Sequence, residues 1–431
     1  MNIILATLGD MFRVSKTQIN EIASSFEKEM ALCTVSPAQG SLKMLRSYFT
    51  KPSISEAGDT IAVDFGGTNI RLLIVNLSKG YCQIKQQRVF NLAQLQAGIG
   101  TGQEPKIFNF LASEIEKMIN KDKKYLLGHC FSFPSRQISR KSALLIHWCK
   151  EMKFSSLEGK DINKILAEAL VSRGLTNIEV SAIINDTVGI LLAGAYLNPT
   201  VDIGSICGTG YNSCYVETGK EGCFQEIINI EAGGFSHKSL WENIFDVELD
   251  IQSERPGSYH LEKMVSGRYL GEILRLVILY LINSKIVFTE QKTPQTLIRP
   301  YSISTGDLAN LLTEENDRKI NDILKEGWGL ISYTENDLEI IKYIARCITN
   351  RAADLIAGTF VGIMGHMDRN LSSPHTIAID GSLYERLPGF SERIKKRVNE
   401  TLGNKQYPIE FCLVKDGSGI GAAIAAAMKE S

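Results

Sequence analysis

Residues 61–75 read IAVDFGGTNIRLLIV, and this stretch determines how the rest of the chain is interpreted. An apolar run carries an aspartate near its end, passes through two glycines and returns as a second β-branched run, which predicts a strand, a tight turn and a strand. The glycines let backbone N–H groups approach a phosphate closely, and Thr68 and Asn69 add side-chain donors. No lysine follows the turn and no helix begins there, so it is neither a Walker A loop nor a dinucleotide-binding turn. An ordinary glycine hairpin explains the stretch equally well.

The composition predicts an ordinary globular protein with two lobes, because 431 residues are many for one hydrophobic core. The 47 Lys and Arg residues against 48 Asp and Glu residues do not favour a nucleic-acid or membrane-surface binder. The nine cysteines form no CxxC pair. The start of the chain lacks the basic segment of a signal peptide, and no apolar run reaches the roughly 18 residues of a membrane span. We therefore expect a soluble, cytoplasmic protein with neither nucleic acid nor membrane as a partner.

The hydrophobic spacing predicts a mixture of helices and strands. The segment from about Ser15 to Tyr48 reads as helical, with a proline between two apolar sets. Tyr125–Phe133 and Ile178–Ile184 read as buried strands. The second half is mostly helical, with long amphipathic stretches at His260–Asn283 and Leu338–Met367.

The opening pattern occurs a second time, where a strand at Ile203–Cys207 meets the turn GTGYN and returns at Ser213–Val216. Two such units suggest a duplicated, two-lobed α/β architecture with a cleft between the lobes. Two later strands end in further glycine turns, at residues 380–382 and 416–421. Together these turns describe phosphate loops gathered at the ends of two sheets, the usual place for a ligand in α/β proteins.

Several polar residues at strand ends have two interpretations. Asp64 lies beside the first glycine turn, and its carboxylate could bind Mg²⁺ directly or through water. A role in capping the turn would also explain an aspartate at this position. Asp186 follows a buried strand, where it is either a base in phosphoryl transfer or part of a helix cap, and one side chain can do both. A dry pocket for a neutral polyol needs fixed donors and acceptors. The residues that suit such a lining, each of which is otherwise a solvated surface group, are Ser132, Lys150, Asn212, Glu231 and Glu262.

From about Phe26 to the C-terminus the motifs resemble those of the hexokinases, within the actin-like sugar-kinase and ATPase superfamily. The most specific block is PGSYHLEKMVSGRYLGE at residues 256–272, supported by FSFP at 131–134 and INDTVG at 184–189. The resemblance implies an α/β, two-lobed, actin-like ATPase fold built from duplicated ribonuclease-H-like units around a central sugar and ATP cleft. It implies a small lobe of residues 60–188 plus 417–431 and a large lobe of residues 1–59 plus 189–416.

The resemblance also implies the reaction and its residues. The reaction would be ATP-dependent phosphorylation of a hexose at its 6-hydroxyl, by a monomer or homodimer whose cleft closes on the sugar. Glucose is the first candidate, followed by mannose and fructose. The hexose would be held by Ser132, Lys150, Asn185, Asp186, Asn212, Glu231 and Glu262, with Asp186 as the general base. The residues that would bind the nucleotide are Asp64, Gly66, Gly67, Thr68, Asn69, Arg71, Thr209, Gly381, Ser382 and Ser418. Asp64 would also bind Mg²⁺, through water.

Three residues depart from the family pattern: Cys149 replaces the usual threonine, Ala232 the usual tryptophan and Ile420 a basic residue. We expect them to affect sugar preference rather than activity, because none removes a proton-transfer or phosphate-binding group. The repressor-related bacterial sugar kinases are a rival family, but their CxCGxxGC cluster is absent from the sequence. The sequence also leaves open a sugar sensor with little turnover and a cytoskeletal or chaperone-like ATPase.

Overall fold

The computed structural model describes residues 3–99, 105–148, 157–219, 225–313, 317–403 and 406–429. The strands are β1 (Leu45–Arg46), β2 (Gly58–Phe65), β3 (Asn69–Ser78), β4 (Tyr81–Asn91), β5 (Tyr125–Phe131), β6 (Ser135–Ser139), β7 (Ser142–Leu145), β8 (Ile178–Ile184), β9 (Val201–Cys207), β10 (Tyr211–Thr218), β11 (Gln225–Asn229), β12 (Thr376–Asp380) and β13 (Glu410–Leu413). The helices are α1 (Ile3–Met11), α2 (Lys16–Val35), α3 (Leu92–Ile99), α4 (Pro105–Glu116), α5 (Ile162–Ser172), α6 (Asp186–Leu197), α7 (Ile244–Gln252), α8 (His260–Val265), α9 (Gly267–Asn283), α10 (Gln295–Ile298), α11 (Thr305–Leu312), α12 (Asp317–Asp322), α13 (Glu335–Met367), α14 (Ser382–Arg386), α15 (Phe390–Leu402) and α16 (Gly417–Ala427).

Two mixed sheets repeat one arrangement of strands. The first sheet has the order β4-β3-β2-β5-β8, and the second has the order β1-β11-β10-β9-β12-β13. In the first sheet β2 pairs antiparallel with β3 and parallel with β5, while β4 and β8 extend the two sides. In the second sheet β9 pairs antiparallel with β10 and parallel with β12, and β11 and β13 extend it in the same way. The duplication predicted from the two glycine turns is therefore confirmed.

Each sheet has a core of its own, and the two share a third. Helices α4 and α5 pack on one face of the first sheet, and α2, α9 and α13 contribute to the core beside the second. We call each sheet with its own core a lobe. Between the sheets, α6 and α16 pack against strands of both. Both helices therefore tie the lobes together.

Close backbone contact allows α6 and α16 to lie side by side. A Cβ placed on Gly421 of α16 would lie 2.0 Å from the carbonyl oxygen of Gly189 in α6. Helix α6 is buried from Thr187 to Tyr196, which agrees with its uniformly apolar sequence. Both helices begin at the same edge of the molecule, where the strand ends meet.

Two predicted helices differ from the structure. The helix expected over residues 15–48 ends at Val35, where Ser36 leaves the helical conformation (φ −139°). The later part of the stretch does not return to this helix, because Met44 and Tyr48 have left-handed backbone angles (φ 49° and 62°) that a helix excludes. Their segment instead pairs with β11 through β1. The stretch expected as one helix from residue 260 to 283 is two helices, separated at the extended Ser266. There the N–H group of Gly267 binds the carbonyl of Gly208 at 2.8 Å instead of continuing a helical ladder.

Within the described ranges, no helix combines the length and apolar composition that a membrane crossing needs. The cysteines described there have free thiols, namely Cys33, Cys82, Cys130, Cys207, Cys214, Cys347 and Cys412. The same part of the chain contains no group of three or more His, Cys, Asp or Glu side chains placed to hold a metal. A metal that binds there would therefore need ligands from water or from a bound substrate.

Candidate active site

The four predicted glycine turns form one chain of contacts at the strand ends. Parallel strands β2, β5 and β8 end on one edge of the first sheet, and β9, β12 and β13 end on the corresponding edge of the second. A Cβ placed on Gly419 would lie 3.8 Å from the Cβ of Asp64, so the fourth turn meets the first. The carboxylate of Asp380 accepts hydrogen bonds from the N–H groups of Gly381 at 2.7 Å and Gly417 at 3.2 Å, which joins the third turn to the fourth.

Gly381 brings the third turn against the second. Its φ of 121° strongly favours glycine. A Cβ there would lie 2.4 Å from the carbonyl oxygen of Cys207 and 2.9 Å from the backbone nitrogen of Gly208. The turn after β12 and the turn after β9 therefore touch backbone to backbone.

Asp64 lies buried where the first and fourth turns meet. Its Oδ2 atom accepts hydrogen bonds from Arg71 Nε at 2.8 Å and from Ser418 Oγ at 2.9 Å. Arg71 also pairs with Asp416 and donates to Ser418 Oγ at 3.0 Å. This network fixes the start of α16 against β2 and β3, and it occupies the Arg71 guanidinium with two carboxylates.

Asn185 and Asp186 follow β8, and Asn185 is the N-cap of α6. Asn185 Oδ1 accepts a hydrogen bond from the Thr187 N–H at 2.9 Å. Asp186 is the first residue of the helix, and its Oδ1 atom accepts from the same N–H at 2.8 Å. Ser132 follows β5, the neighbouring strand, and its N–H binds the Phe65 carbonyl at 3.2 Å. The ends of β2, β5 and β8 therefore hold Asp64, Ser132 and Asp186 on one edge.

On the second sheet, a hydrogen-bonded chain positions Asn212 and Glu231. Asn212 Oδ1 accepts from the N–H groups of Ser213 at 2.7 Å and Ala232 at 3.0 Å. Asn212 donates to Asn229 Oδ1 at 2.9 Å, and Asn229 in turn donates to Glu231 Oε1 at 2.7 Å. Glu231 has a left-handed backbone (φ 57°), which turns the chain directly after β11.

Glu262 reaches the second glycine turn from α8. Its Oε2 atom accepts a hydrogen bond from the Tyr211 N–H at 3.1 Å. A Cβ placed on Gly210 would lie 3.0 Å from the same oxygen. The carboxylate of Glu262 is therefore fixed against the strand that carries Asn212.

Asp186 beside the first sheet and Glu262 beside the second both lie close enough to Glu231 to affect its pKa. The pKa of Glu231 is raised to about 7, chiefly by burial and to a smaller extent by the carboxylates of Asp186 and Glu262, while the hydrogen bond from Asn229 and the charge of Lys43 oppose the increase. Burial also raises the pKa of the Cys130 thiol well above its ordinary value, assisted by Asp64 and Asp186. Like charges held close together at a ligand site are typical of catalytic groups.

The predicted sugar and nucleotide residues differ in exposure, although half-buried residues occur in both sets. The sugar set is half-buried, as expected for the wall of a cleft, and consists of Ser132, Asn185, Asp186, Asn212, Glu231 and Glu262. In the nucleotide set several turn residues are exposed, namely Thr68, Asn69, Thr209 and Ser382. Lys150 and the departing Cys149 lie outside the described residues.

Four residues of this network were not among those that the sequence assigned to the sugar or the nucleotide, although Asp380 had been placed in one of the glycine turns of the cleft. Asp380 and Asp416 precede glycine turns, and Asn229 precedes Glu231 by two residues, so all three lay in motifs that had already been recognised. Cys130 gave no signal, because a cysteine in an apolar strand resembles any other buried residue. Its place between Asp64 and Asp186 is a consequence of strand pairing.

Comparison with known proteins adds the family. Two family models match the chain, both described as hexokinase, over residues 4–196 and residues 202–428. The chain belongs to the hexokinase family. It is 32% identical over 437 residues to hexokinase-2 of Homo sapiens, a match that covers 96% of this chain and 47% of that protein. The chain thus spans about half the length of the curated hexokinases it matches.

Solved hexokinases share the fold along nearly the whole chain. The hexokinase from Schistosoma mansoni complexed with glucose has a TM-score of 0.86 and 32% identity, with 98% of both chains covered. A second crystal structure of a hexokinase has a TM-score of 0.85 and 29% identity, with 99% of both chains covered. These matches confirm the two-lobed sugar-kinase fold that the sequence predicted.

Proposed function

We propose that this hexokinase family member is an ATP-dependent kinase that transfers the γ-phosphoryl group of ATP to the 6-hydroxyl of a hexose. The observation that carries the proposal is the gathering of Asp186, Glu231 and Glu262 beside joined glycine turns. Neutral sugars are bound by fixed polar groups in a cleft, and phosphates are bound by turns with accessible N–H groups. The two kinds of site meet here at the ends of the same sheets.

The sugar side comprises Ser132, Lys150, Asn185, Asp186, Asn212, Glu231 and Glu262. The half-buried exposure of the described members supports this assignment, and Lys150 is included on its sequence motif alone. Glucose is the first candidate substrate, since the Schistosoma mansoni hexokinase was solved with glucose. Mannose and fructose follow from the family resemblance.

On the nucleotide side we assign Asp64, Gly66, Gly67, Thr68, Asn69, Arg71, Thr209, Gly381, Ser382 and Ser418. The mutual contact of the four turns supports a single phosphate site. Asp64 fits Mg²⁺ held through water, because its Oδ2 atom already accepts from Arg71 and Ser418 and Mg²⁺ keeps several of its waters. Bound Mg²⁺ would neutralise charge on the β- and γ-phosphates.

Asp186 is assigned as the general base. Its carboxylate accepts the proton of the 6-hydroxyl while that oxygen forms a bond to the γ-phosphorus, and the bond to the bridging oxygen of ADP breaks. The N–H groups of the turns stabilise the charge that develops on the phosphoryl oxygens. Closure of the cleft on the sugar would exclude water as a competing acceptor.

The lobe boundaries stay a prediction: residues 60–188 plus 417–431 form the small lobe, and residues 1–59 plus 189–416 form the large lobe. The packing of α6 and α16 between the sheets supports a boundary near these two helices. A cytoplasmic location is supported by the free thiols in the described ranges. As partners we propose only the hexose and ATP, with a monomer or homodimer as the expected state.

A panel of sugars tests the proposal. ADP release at fixed ATP and Mg²⁺ is measured with glucose, mannose, fructose and no sugar. We expect glucose to increase ADP release by orders of magnitude over the sugar-free rate, with glucose 6-phosphate as the product. Equal ADP release without sugar would instead indicate an ATPase, and sugar binding without turnover would indicate a sensor.

A further inference from the structure

A hydrogen bond joins the two lobes at the sugar side of the cleft, where Arg255 Nη2 donates to His147 Nε2 at 2.8 Å. His147 follows β7, whose Leu145 belongs to the core of the first sheet. Arg255 lies between α7 and α8, whose Leu249 and Leu261 belong to the core of the second sheet. The bond therefore connects two bodies that have separate cores.

His147 is tied to the predicted sugar contact Ser132 through its neighbour in the chain. Trp148 is buried, and its ring packs edge-on against Phe133 at 4.9 Å and Phe131 at 5.9 Å between centroids. These two phenylalanines flank Ser132. The side chain next to His147 therefore packs on both neighbours of Ser132.

Arg255 is tied in a similar way to Glu262. The buried Lys263, directly after Glu262, donates from Nζ to Asp250 Oδ1 at 2.5 Å and to the Arg255 carbonyl at 2.7 Å. The Asp250 carboxylate also accepts from the Gly257 N–H at 2.8 Å. The loop that carries Arg255 is therefore fixed to the start of α8.

We propose that His147 and Arg255 form a latch between the lobes that favours the closed cleft and thereby strengthens hexose binding. The inference rests on the proposed function for the identity of the ligand. A hydrogen bond is lost beyond about 3.5 Å, so a movement that separates the lobes at this point breaks the bond, and its energy favours the lobe arrangements in which these two residues meet. Both are positioning residues, because they act through Ser132 and Glu262.

The latch needs a neutral histidine. The Arg255 guanidinium is always charged and can only donate, so the His147 Nε2 atom has to accept. Burial lowers the pKa of His147, and the positive charge of Arg255 lowers it further. The negative charge of Glu158 opposes both effects. Among the described residues these are the charged groups that act on His147. The latch is therefore formed at neutral pH and released in acid.

A double-mutant cycle tests the coupling. Glucose dissociation constants are measured by calorimetry for the wild type, His147→Leu, Arg255→Met and the double variant, with melting temperatures to verify folding. We expect each single variant to weaken binding by a factor of about 10 to 150, the loss expected for one hydrogen bond to a charged group, and the double variant to weaken it no further. kcat should stay near the wild-type value. Independent, multiplicative effects or unchanged dissociation constants would overturn the latch.

His147→Gln is the matched control, since its amide oxygen accepts the same bond at every pH. Wild-type glucose affinity should fall from about pH 8 to about pH 5 by a larger factor than the affinity of His147→Gln. Glu231 also titrates in this range, so the difference between the two proteins isolates His147.

Small-angle scattering of the sugar-free protein separates failure of the latch from failure of the proposed function. Arg255→Met should have a larger radius of gyration than the wild type, whether or not the protein phosphorylates sugar. An unchanged radius in Arg255→Met overturns the latch even if turnover is normal. Absent turnover in the wild type, together with the expected change in radius, would overturn only the proposed function.

Discussion

Glu231 combines a strained backbone with an unfavourable charge environment. Its φ is 57°, and the carboxylates of Asp186 and Glu262 add to the effect of burial on its pKa. A carboxylate in such a place costs folding free energy whenever it is ionised. In the proposed function, a bound hexose hydroxyl would donate a hydrogen bond to this carboxylate.

The pH dependence of stability tests this cost. The folded-state pKa of Glu231 is about 7, above its ordinary value of 4.5, so the folded state binds more protons between these values and wild-type stability falls as pH rises through that window. Glu231→Gln removes the titration and should gain stability relative to the wild type as pH rises to about 7. Urea unfolding at several pH values measures the difference.

Glu290→Gln, at an exposed carboxylate, is the matched control and should show no pH-dependent difference from the wild type. A Glu231→Gln difference that stays constant across the same pH range would contradict the raised pKa.

At the scale of elements, the crossing of α6 and α16 depends on a backbone contact that admits no side chain. Helix α6 carries Asp186 at its first turn, and α16 carries Ser418 at its own. Their relative position therefore sets the relation between the assigned base and the assigned phosphate site. Separation of the helices should affect catalysis as well as stability.

Gly421→Ala tests this dependence. The added Cβ would lie 2.0 Å from the Gly189 carbonyl oxygen, and overpacking of this kind costs about 1–3 kcal/mol or more. We expect a lower melting temperature and a lower kcat. Gly327→Ala is the matched control, because nothing lies within 4 Å of a Cβ there. Equal melting temperatures for the two variants would contradict the close-packed crossing.

At the scale of the whole molecule, much of the fold followed from the sequence. The duplicated strand–turn–strand pattern predicted two related sheets, because alternation of apolar strands with glycine turns is a local signal. The helix expected up to Tyr48 was wrong, since the left-handed Met44 and Tyr48 are imposed by pairing with β11. Likewise, the interruption at Ser266 comes from the bond between Gly267 and Gly208, which lie far apart in sequence.

The residues of the candidate site were likewise predictable from the sequence only in part. Residues inside recognisable motifs, such as Asp186 and Gly381, were predicted from sequence, whereas Cys130 and the partnership of Arg71 with Asp416 emerged only from the paired sheets. The bond between His147 and Arg255 was equally hidden, because its two residues lie in different lobes. Contacts between segments that are distant in sequence form only in the assembled fold, so no local sequence pattern indicates them.

The most direct test of the central claim compares wild type with Asp186→Asn in a glucose-dependent ADP-release assay, with glucose affinity measured in parallel by calorimetry. The amide keeps the size of the side chain and its acceptor oxygen for the Thr187 N–H, but it cannot take the proton of the 6-hydroxyl. Asp122→Asn, an exposed carboxylate just before the opposite end of β5, is the control and should leave kcat unchanged. The account predicts that Asp186→Asn lowers kcat by a factor of about 100 or more while the enzyme still binds glucose. Turnover near the wild-type rate in Asp186→Asn would contradict it.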